Sequence, residues 1–391
     1  MKSLRGRVSL AAPVAVLLSF LIAAQATAVT WSPRVRLTTS GTAFGHGLVT
    51  LDSSNAVLLY DAGPYVYVRR STNSGMNWKP KQRISDDSGR GLFADIAGRM
   101  NDVDVVYEDE DSSTDTSTLS YRRSTNSGAT FGAPVPLRTL AWDDGFDPAV
   151  GRGPGDVVAV AWHELPTNTI RVRVSTDGGV SFGPEQTLAT VTGTWFHPPV
   201  VAVGDGVIYV AYHIDATRIR LRRSLDDGAT WRSAVRLSNN GTESPTIDTM
   251  TATADGAKAY VGYTVTDGTS TWTRFRRTTN RGGSWSAQVD ISPPSANPSL
   301  SPELALVGGT LHAAYEQCVA PSCKGSMAMY RSKTATTAFT TPEQASHPAT
   351  EWASPAGVGR AGRVIVGYTA DNGEDNPFEP NTDIFVRTGT P

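Results

Sequence analysis

The chain has 391 residues, of which 39% are hydrophobic and 18% charged, and its formal net charge is −2 at pH 7. This length is ample for a large hydrophobic core. The charge lacks the basic excess that nucleic acid or an anionic membrane surface would require, so we expect no nucleic-acid partner.

The first element in chain order has the composition of an export signal. Lys2, Arg5 and Arg7 precede an apolar run at 10–24, and small residues end in an Ala-x-Ala pattern at 26–28. These features predict a secretory signal peptide over 1–28 and a single mature domain over 29–391. The run is short for a membrane span, and no later segment is longer and equally apolar. We expect a secreted, extracellular monomer without membrane insertion.

A phrase with the pattern S/T-x-D/N-x-G-x-x-W/F repeats along the mature chain. Its copies begin at Ser71, Ser124, Ser175, Ser224 and Thr278, with a decayed sixth copy at Ser332. The intervals between successive copies are 53, 51, 49, 54 and 54 residues. Five full copies at such even spacing predict a repeat architecture.

The segments around each phrase have the patterns of short β-strands. Before each phrase lies a run of alternating β-branched and arginine residues, and before that an apolar run that ends in an aromatic residue. The aromatic residues that end these apolar runs are Tyr60, Tyr107, Trp162, Tyr212, Tyr263, Tyr315 and Tyr368. Units of four antiparallel strands, with little helical periodicity, predict an all-β propeller.

The number of blades follows from comparing the number of aromatic-ended strands with the number of repeated phrases. There are seven aromatic-ended strands but only six phrases, and the segment 29–38 resembles the end of the fourth copy at 229–238. The mature N-terminus would then supply the outermost strand of a blade whose third strand is 383–390. We predict seven blades, with six as the alternative, and a ring closed by the N-terminal strand joining the C-terminal blade.

The repeated phrase resembles the Asp-box (BNR) repeat of the sialidase superfamily, which also occurs in other exported propellers. The resemblance covers essentially the whole mature chain. It implies that each phrase joins the third and fourth strands of a blade, on the face away from the ligand site. In such a turn Asp or Asn accepts backbone N–H bonds, Gly permits positive φ and the aromatic residue packs beneath. The residues expected in this structural role are Ser71, Asn73, Gly75, Trp78, Ser124, Asn126, Gly128, Phe131, Ser175, Asp177, Gly179, Phe182, Ser224, Asp226, Gly228, Trp231, Thr278, Asn280, Gly282 and Trp285.

The sialidase active site does not transfer with the resemblance. In sialidases the first catalytic arginine lies in an x-R-I-P phrase at the start of the first inner strand, where this chain has Gly45. No motif identifies the other two arginines or the Tyr–Glu nucleophile pair. The catalytic residues are therefore unknown from the sequence.

Propeller geometry still indicates where a ligand would bind. The links from second to third strands and the starts of the inner strands meet on one face, and both carry carboxylates and imidazoles. The residues chosen as ligand-binding candidates are Asp61, Asp109, His163, Glu164, His213, Asp215 and Glu316. Glu108 is a further acid on the first kind of link, and the starts of the inner strands carry His46, Asp95, Asp147, His197 and Glu303. His163–Glu164 and His213–Asp215 are preferred because they share a position in adjacent blades.

Three further features have structural interpretations. The isolated pair Cys318 and Cys323 favours a disulfide over a metal site in an exported chain. The acidic loops 108–115 and 371–383 suit Ca²⁺, but they follow no EF-hand spacing and acidic surface loops are usually only solvated, so we expect no cofactor and no metal site, with Ca²⁺ as the alternative. The arginine pairs at 69–70, 122–123, 222–223 and 276–277 lie beside the repeat turns, where we expect inter-strand pairing rather than a ligand site.

Two functions fit these observations. One is a secreted propeller that binds a glycan or an extracellular protein on its loop face. The other is a sialidase-like glycoside hydrolase that uses carboxylates at the propeller mouth. The absent x-R-I-P arginine favours binding, and the acid-rich mouth keeps hydrolysis open. A purely structural role in the cell envelope is the third interpretation.

Overall fold

The computed structural model describes residues 28–390 except 87–88, 142–144, 193–197, 239–240, 242, 247–249, 347–351 and 372–381. The predicted signal peptide therefore lies outside the described residues, apart from Ala28. The described chain forms seven antiparallel sheets arranged as the blades of a propeller, which confirms the predicted fold and blade number. No helix in the described part of the chain is long and apolar enough to cross a membrane.

Each blade places its strands in chain order from the central axis outward. Blade 1 consists of β3 (Ala43–Thr50), β4 (Ala56–Ala62), β5 (Tyr65–Ser71) and β6 (Gln82–Arg83), and blade 2 of β7 (Arg90–Arg99), β8 (Asp102–Asp111), β9 (Thr116–Ser124) and β10 (Val135–Ala141). Blade 3 consists of β11 (Phe146–Arg152), β12 (Val158–Glu164), β13 (Thr169–Ser175) and β14 (Gln186–Thr190), and blade 4 of β15 (Val200–Gly204), β16 (Val207–Asp215), β17 (Arg218–Ser224) and β18 (Val235–Arg236). In blade 5 the innermost position is shared by β19 (Ser244–Pro245) and β20 (Thr251–Asp255), followed by β21 (Lys258–Thr266), β22 (Thr271–Thr278) and β23 (Val289–Asp290). Blade 6 consists of β24 (Ser299–Val307), β25 (Thr310–Cys318), β26 (Ser326–Lys333) and β27 (Glu343–Gln344). Blade 7 consists of β28 (Ala353–Ala361), β29 (Arg363–Asp371) and β30 (Thr382–Thr390), with β1 (Thr30–Trp31) and β2 (Val35–Arg36) outermost.

The two ends of the described chain close the ring within blade 7. Thr30 pairs with Thr390 and Trp31 with Gly389, and β2 pairs with an earlier part of the same strand. Thr38 adds a side-chain bond of 2.6 Å from its hydroxyl to the buried carboxylate of Asp383. The N-terminal strand therefore joins the C-terminal blade, as the sequence predicted.

The hydrophobic core consists of seven clusters, each between two neighbouring blades. The aromatic residues that end the second strands are all buried, at 0% or 1% exposure. The aromatic residue of each repeated phrase packs into the same clusters. Trp31 packs edge-on to Tyr330 of blade 6, with ring centroids 5.6 Å apart. Trp31 therefore takes the place of a repeat aromatic residue in blade 7.

The repeated phrases form one hydrogen-bonded turn, which we call the repeat turn. In blade 3, Ser175 Oγ accepts from the backbone N–H of Gly179 at 2.8 Å and donates to Asp177 at 2.7 Å, and Asp177 accepts from the Ser181 N–H at 2.9 Å. The same three bonds recur in the other four full copies. Gly179 has φ +91°, and a Cβ there would lie 1.9 Å from the Tyr121 hydroxyl of blade 2. The glycine thus serves both the turn and the contact with the preceding blade.

The sixth copy is aligned differently from the sequence prediction. Tyr315 pairs with Met329 and Leu311 with Lys333, whereas in blade 1 Tyr60 pairs with Tyr67 and Ala56 with Ser71. Lys333, not Ser332, therefore stands at the serine position, and the phrase is one residue shorter. A lysine cannot accept a backbone N–H bond, so this turn uses a different bond, from the Thr334 N–H to Thr337 Oγ1 at 2.9 Å.

The strand register also places one arginine at the same position of the third strand in every blade. This position is two residues after the third-strand residue that pairs with the aromatic residue of the second strand. These arginines are Arg69, Arg122, Arg173, Arg222, Arg276, Arg331 and Arg387. Arg173 Nε donates to Gly183 O of its own blade at 2.8 Å, and its NH1 donates to Leu137 O of blade 2, also at 2.8 Å. The arginines of blades 2, 5, 6 and 7 make the same pair of contacts. These arginines therefore join neighbouring blades, where the sequence suggested pairing between strands.

Candidate ligand site in the central channel

The innermost strands of all seven blades line a central channel with a volume of about 770 Å³. We call the end bearing the links between second and third strands the loop face, and the end bearing the repeat turns the turn face. Parts of the links before most inner strands lie outside the described residues, so the described part of the loop-face mouth consists mainly of the strand ends.

Four of the inner strands are bulged where they enter the channel from the loop face. The register shifts between Gly45 and Gly47 in β3, between Leu92 and Asp95 in β7, between Leu300 and Glu303 in β24, and between Pro355 and Gly357 in β28. These strands belong to blades 6, 7, 1 and 2, which are consecutive around the ring. Bulges re-aim the side chains beside them and are common next to binding sites.

Two of the bulges contain non-glycine residues in the left-handed region. Phe93 has φ +45° and Ser301 has φ +48°. A bulky residue in this conformation is strained, and the strain persists only where the surrounding structure imposes it. In each strand the carboxylic acid that lines the channel follows two residues later, at Asp95 and Glu303.

Asp95 is held by the backbones of two blades. Its carboxylate accepts the N–H of Ile96 at 2.8 Å and the N–H of Val150 in blade 3, also at 2.8 Å. The side chain keeps some accessible surface because it faces the channel. Protein nevertheless surrounds the channel, and this burial raises the pKa of Asp95 to about 6, against the opposing effects of the backbone bonds and His46.

Glu303 has no such support. It also faces the channel, but no residue of the described ranges donates a hydrogen bond to its carboxyl group. Burial raises its pKa to about 8, and the negative charge of Asp95 adds to this rise. Near neutral pH the two acids thus differ in state, with Asp95 ionised and Glu303 protonated.

His46 and Asp61 complete the polar part of the mouth. His46 Nε2 lies 3.3 Å from Asp61 Oδ2, and the other carboxylate oxygen of Asp61 accepts the Phe44 N–H at 3.0 Å. The neighbouring N–H, of Gly45, donates to Thr369 Oγ1 of blade 7 at 2.9 Å. The imidazole therefore lies beside Asp61 in the wall of the channel, and its Nε2 has no hydrogen-bond partner among the described residues.

The mouth also presents aromatic surface and little positive charge. Phe44, which lines the channel, is 43% exposed although it is a large apolar side chain. Among the channel-lining residues that the structure describes, the only arginines are Arg99 and Arg152, both at the turn-face ends of their strands, and there is no lysine. A Cβ at Gly45 would lie 2.1 Å from the Cβ of Ala356, so the backbone has no room for an arginine where the sialidase resemblance would put one.

The preferred sequence candidates lie in a different environment. His163 and Glu164 are fully buried and His213 is 2% exposed. Glu164 accepts from Arg171 at 2.9 Å, from Arg138 at 3.1 Å and from Thr167 at 2.9 Å. A carboxylate with three protein donors is positioned to link strands rather than to meet a ligand.

The remaining candidates are dispersed around the loop face. Asp215 accepts the Thr217 N–H at 2.9 Å and pairs with Arg218. Burial raises the pKa of Asp109 to about 6, and the nearby acids Asp86 and Asp111 contribute. Asp61 belongs to the candidate set and contacts two residues that line the channel mouth, His46 and Phe44.

Glu316 and the cysteines form a separate group after β25. The structure joins Cys318 and Cys323 in a disulfide with a Cα–Cα distance of 4.8 Å, and Glu316 Oε1 lies 3.9 Å from the sulfur of Cys323. In the acidic loop 108–115, Asp111 accepts from both the N–H and the hydroxyl of Ser113. His197 and most of the loop 371–383 lie outside the described residues.

Comparisons with known proteins add similarity of architecture only. No protein-family model matches the chain, and no curated protein matches it. Among solved structures, it is similar to Trypanosoma rangeli sialidase in complex with the inhibitor DANA, with 15% identity, a TM-score of 0.48 and coverage of 71% of this chain and 53% of that one. It is also similar to Penicillium chrysogenum α-L-arabinanase complexed with arabinobiose, with 14% identity, a TM-score of 0.49 and coverage of 73% and 94%. The chain spans about half the length of the sialidase, and likenesses at this level carry no argument about its activity.

Proposed function

We propose that this protein is an exported propeller that binds a glycan at the loop-face mouth of its central channel. The observation that carries the proposal is the placement of Asp95, Glu303 and His46 by three different blades around one cavity. Carboxylates and an imidazole beside the exposed ring of Phe44 are suited to sugar hydroxyls and to the apolar faces of sugar rings. The lack of arginine or lysine in the described lining of this end disfavours an anionic sugar such as a sialic acid.

A glycan array that includes neutral, acidic and amino-sugar oligosaccharides tests this function. We expect binding to a subset of non-acidic glycans, and at least tenfold weaker binding by Asp95→Asn and by His46→Ala. Asp205→Asn is a matched control, because Asp205 is an exposed acid in the turn between β15 and β16 on the turn face. A blank array, or channel variants that bind as the control does, would remove the proposal.

Glycoside hydrolysis is the second candidate, and the different protonation of Asp95 and Glu303 favours it. A protonated acid and an ionised carboxylate in one cavity are what a glycosidase needs as general acid and as base or nucleophile. Aryl glycosides of neutral sugars and of sialic acid should be tested with the purified protein. Turnover that Glu303→Gln abolishes would establish hydrolysis, and no turnover together with array binding would leave the binding function.

A further inference from the structure

The charges at the loop-face end of the channel do not balance within the described residues. Asp95 and Glu303 face the cavity from blades 2 and 6, and Asp61 and His46 pair with each other in blade 1. The described arginines of the lining lie at the other end of the channel. Buried carboxylates normally have cationic or multiple hydrogen-bonding partners, so this pair is incomplete without something else in the channel.

Glu303 is the acid of this pair that most lacks hydrogen-bond donors. Its carboxyl group faces the cavity, receives no hydrogen bond from the described residues and is repelled by Asp95. A neutral sugar hydroxyl could donate to one of these oxygens but would leave Glu303 protonated beside the ionised Asp95. A group that carries both a positive charge and several N–H donors allows both acids to be ionised and supplies hydrogen bonds at the same time.

An aromatic ring adds a second requirement. Phe44 lines the channel where β3 enters it and remains 43% exposed. Exposed aromatic faces stack on apolar ring surfaces and attract cations. A ligand with a ring face and an attached ammonium group satisfies both requirements.

We propose that the glycan bound at this mouth carries a free amino group, as a 2-amino-2-deoxy sugar does, and that its ammonium lies between the carboxylates of Asp95 and Glu303. This inference rests on the proposed function and specifies its ligand class. It assigns Glu303 as the residue that selects an amine over an N-acetylated or hydroxylated sugar. His46 and Asp61 then orient the neighbouring hydroxyl groups.

Binding of the ammonium has a consequence for protons. At about pH 7 the free protein holds a proton on Glu303 while Asp95 is mostly ionised, and an amine beside electron-withdrawing groups, which like an α-amino group has a pKa of about 8, is mostly charged. An ammonium beside Glu303 favours the carboxylate, so one proton leaves Glu303 for the solvent when the ligand binds. A neutral ligand that accepts a hydrogen bond from protonated Glu303 would release none.

Isothermal titration calorimetry with the full protein tests the inference. The probes are a glucosamine oligosaccharide and its fully N-acetylated counterpart of the same length, each measured at about pH 7, between the pKa values of Asp95 and Glu303, in two buffers of different ionisation enthalpy. We expect the amino form to bind at least tenfold more tightly and to release close to one proton per ligand. Glu303→Gln should abolish both the preference and the proton release, whereas Asp205→Asn should preserve both. Glutamine replaces the protonated acid isosterically, so an unchanged melting temperature is the check that this variant is folded.

The outcomes separate the inference from the proposed function. Equal binding of the two oligosaccharides, or tighter binding without proton release, would overturn the amine assignment and leave glycan binding intact. Absence of binding to both, with other glycans bound on the array, would also overturn only the amine assignment. Loss of all array binding would remove the function on which the inference rests.

Discussion

The two ends of the propeller satisfy their polar groups in opposite ways. On the turn face the acids are matched by nearby donors, as Asp177 is by two backbone N–H groups and two hydroxyls. On the loop face Glu303 lies in the channel without a described donor, and Asp95 has only backbone partners. The first arrangement stabilises the fold, whereas the second is costly to the fold and useful to a ligand.

Repetition accounts for this difference. The repeat turn and the third-strand arginine connect each blade to its neighbour, so the same bonds serve at most positions around the ring. Within the described residues, the bulges occur in four consecutive blades and make the loop face asymmetric. The repeat is thus broken on one face, and strained residues of this kind cluster at functional sites in other proteins.

The largest expected effect is on the turn face, where Arg152 and Asp104 form a buried ion pair. Their side chains are 2% and 0% exposed. Arg152 NH2 donates to Asp104 at 3.0 Å and to Gly178 O of the repeat turn at 3.0 Å, and Tyr121 also donates to Asp104. Arg152→Ala leaves a buried carboxylate without its cation, and we expect the free energy of unfolding to fall by about 3–5 kcal/mol in chemical denaturation.

The control for this prediction is Arg99→Ala. Arg99 is an exposed arginine at the turn-face end of the neighbouring inner strand, so its removal should change stability by no more than about 0.5 kcal/mol. If both variants lost the same small amount, the turn face would not be the stabilising end, and the contrast between the faces would disappear.

The architecture could be predicted from the sequence because each blade repeats the same local requirements. The spacing of the phrases, the seven buried aromatic residues and the half-copy at Trp31 together identified seven blades and the way the ring closes. The prediction was wrong in detail at the sixth phrase, where Lys333 replaces the serine and the copy loses a residue. The arginine at 173 was also missed, since only consecutive arginine pairs stood out in the sequence.

The candidate site could be predicted only in outline. Asp95 and Glu303 were among the polar residues at the starts of the inner strands, but nothing distinguished them from His163 or Glu164. β11 and β12 are buried on both faces, so they have no alternation that would show which side chains point to the channel. A bulge shifts the following side chains by one position and has no reliable sequence pattern, which is why the preferred set was different.

The second prediction concerns the loop face, where the substitution should increase the free energy of unfolding instead of lowering it. Because burial and Asp95 raise the pKa of Glu303 to about 8, the folded state binds a proton that the unfolded state loses near pH 4. Stability from this group is therefore full below about pH 4 and falls as the pH rises to about 8. The glutamine of Glu303→Gln cannot ionise, so we expect this variant to be more stable than the parent by about 2 kcal/mol at pH 8 and by much less at pH 5. Each unit of pKa shift corresponds to about 1.4 kcal/mol, and water in the channel reduces the full value.

Denaturation curves across this pH range measure the effect. Asp205→Asn should follow the parent at every pH, because Asp205 is exposed on the other face. A Glu303→Gln variant that is less stable than the parent at pH 8 would mean that the carboxylate has a structural partner. The loop face would then resemble the turn face.

The smallest expected effect tests a single repeat turn. Ser224 Oγ accepts the Gly228 N–H at 2.8 Å and donates to Asp226 at 2.7 Å, so Ser224→Ala leaves a buried N–H without its acceptor and should cost about 1 kcal/mol.

Bonds from Thr230 and then from Ser224 lower the pKa of Asp226 to about 2, so this contribution to stability is present above about pH 4 and is lost as the pH falls toward 2. The variant should therefore lose less stability on acidification than the parent, whereas Ser233→Ala, at an exposed position of the same blade, should behave as the parent does. An equal loss in both variants would show that the repeat turn records the ancestry of the blades more than it stabilises them.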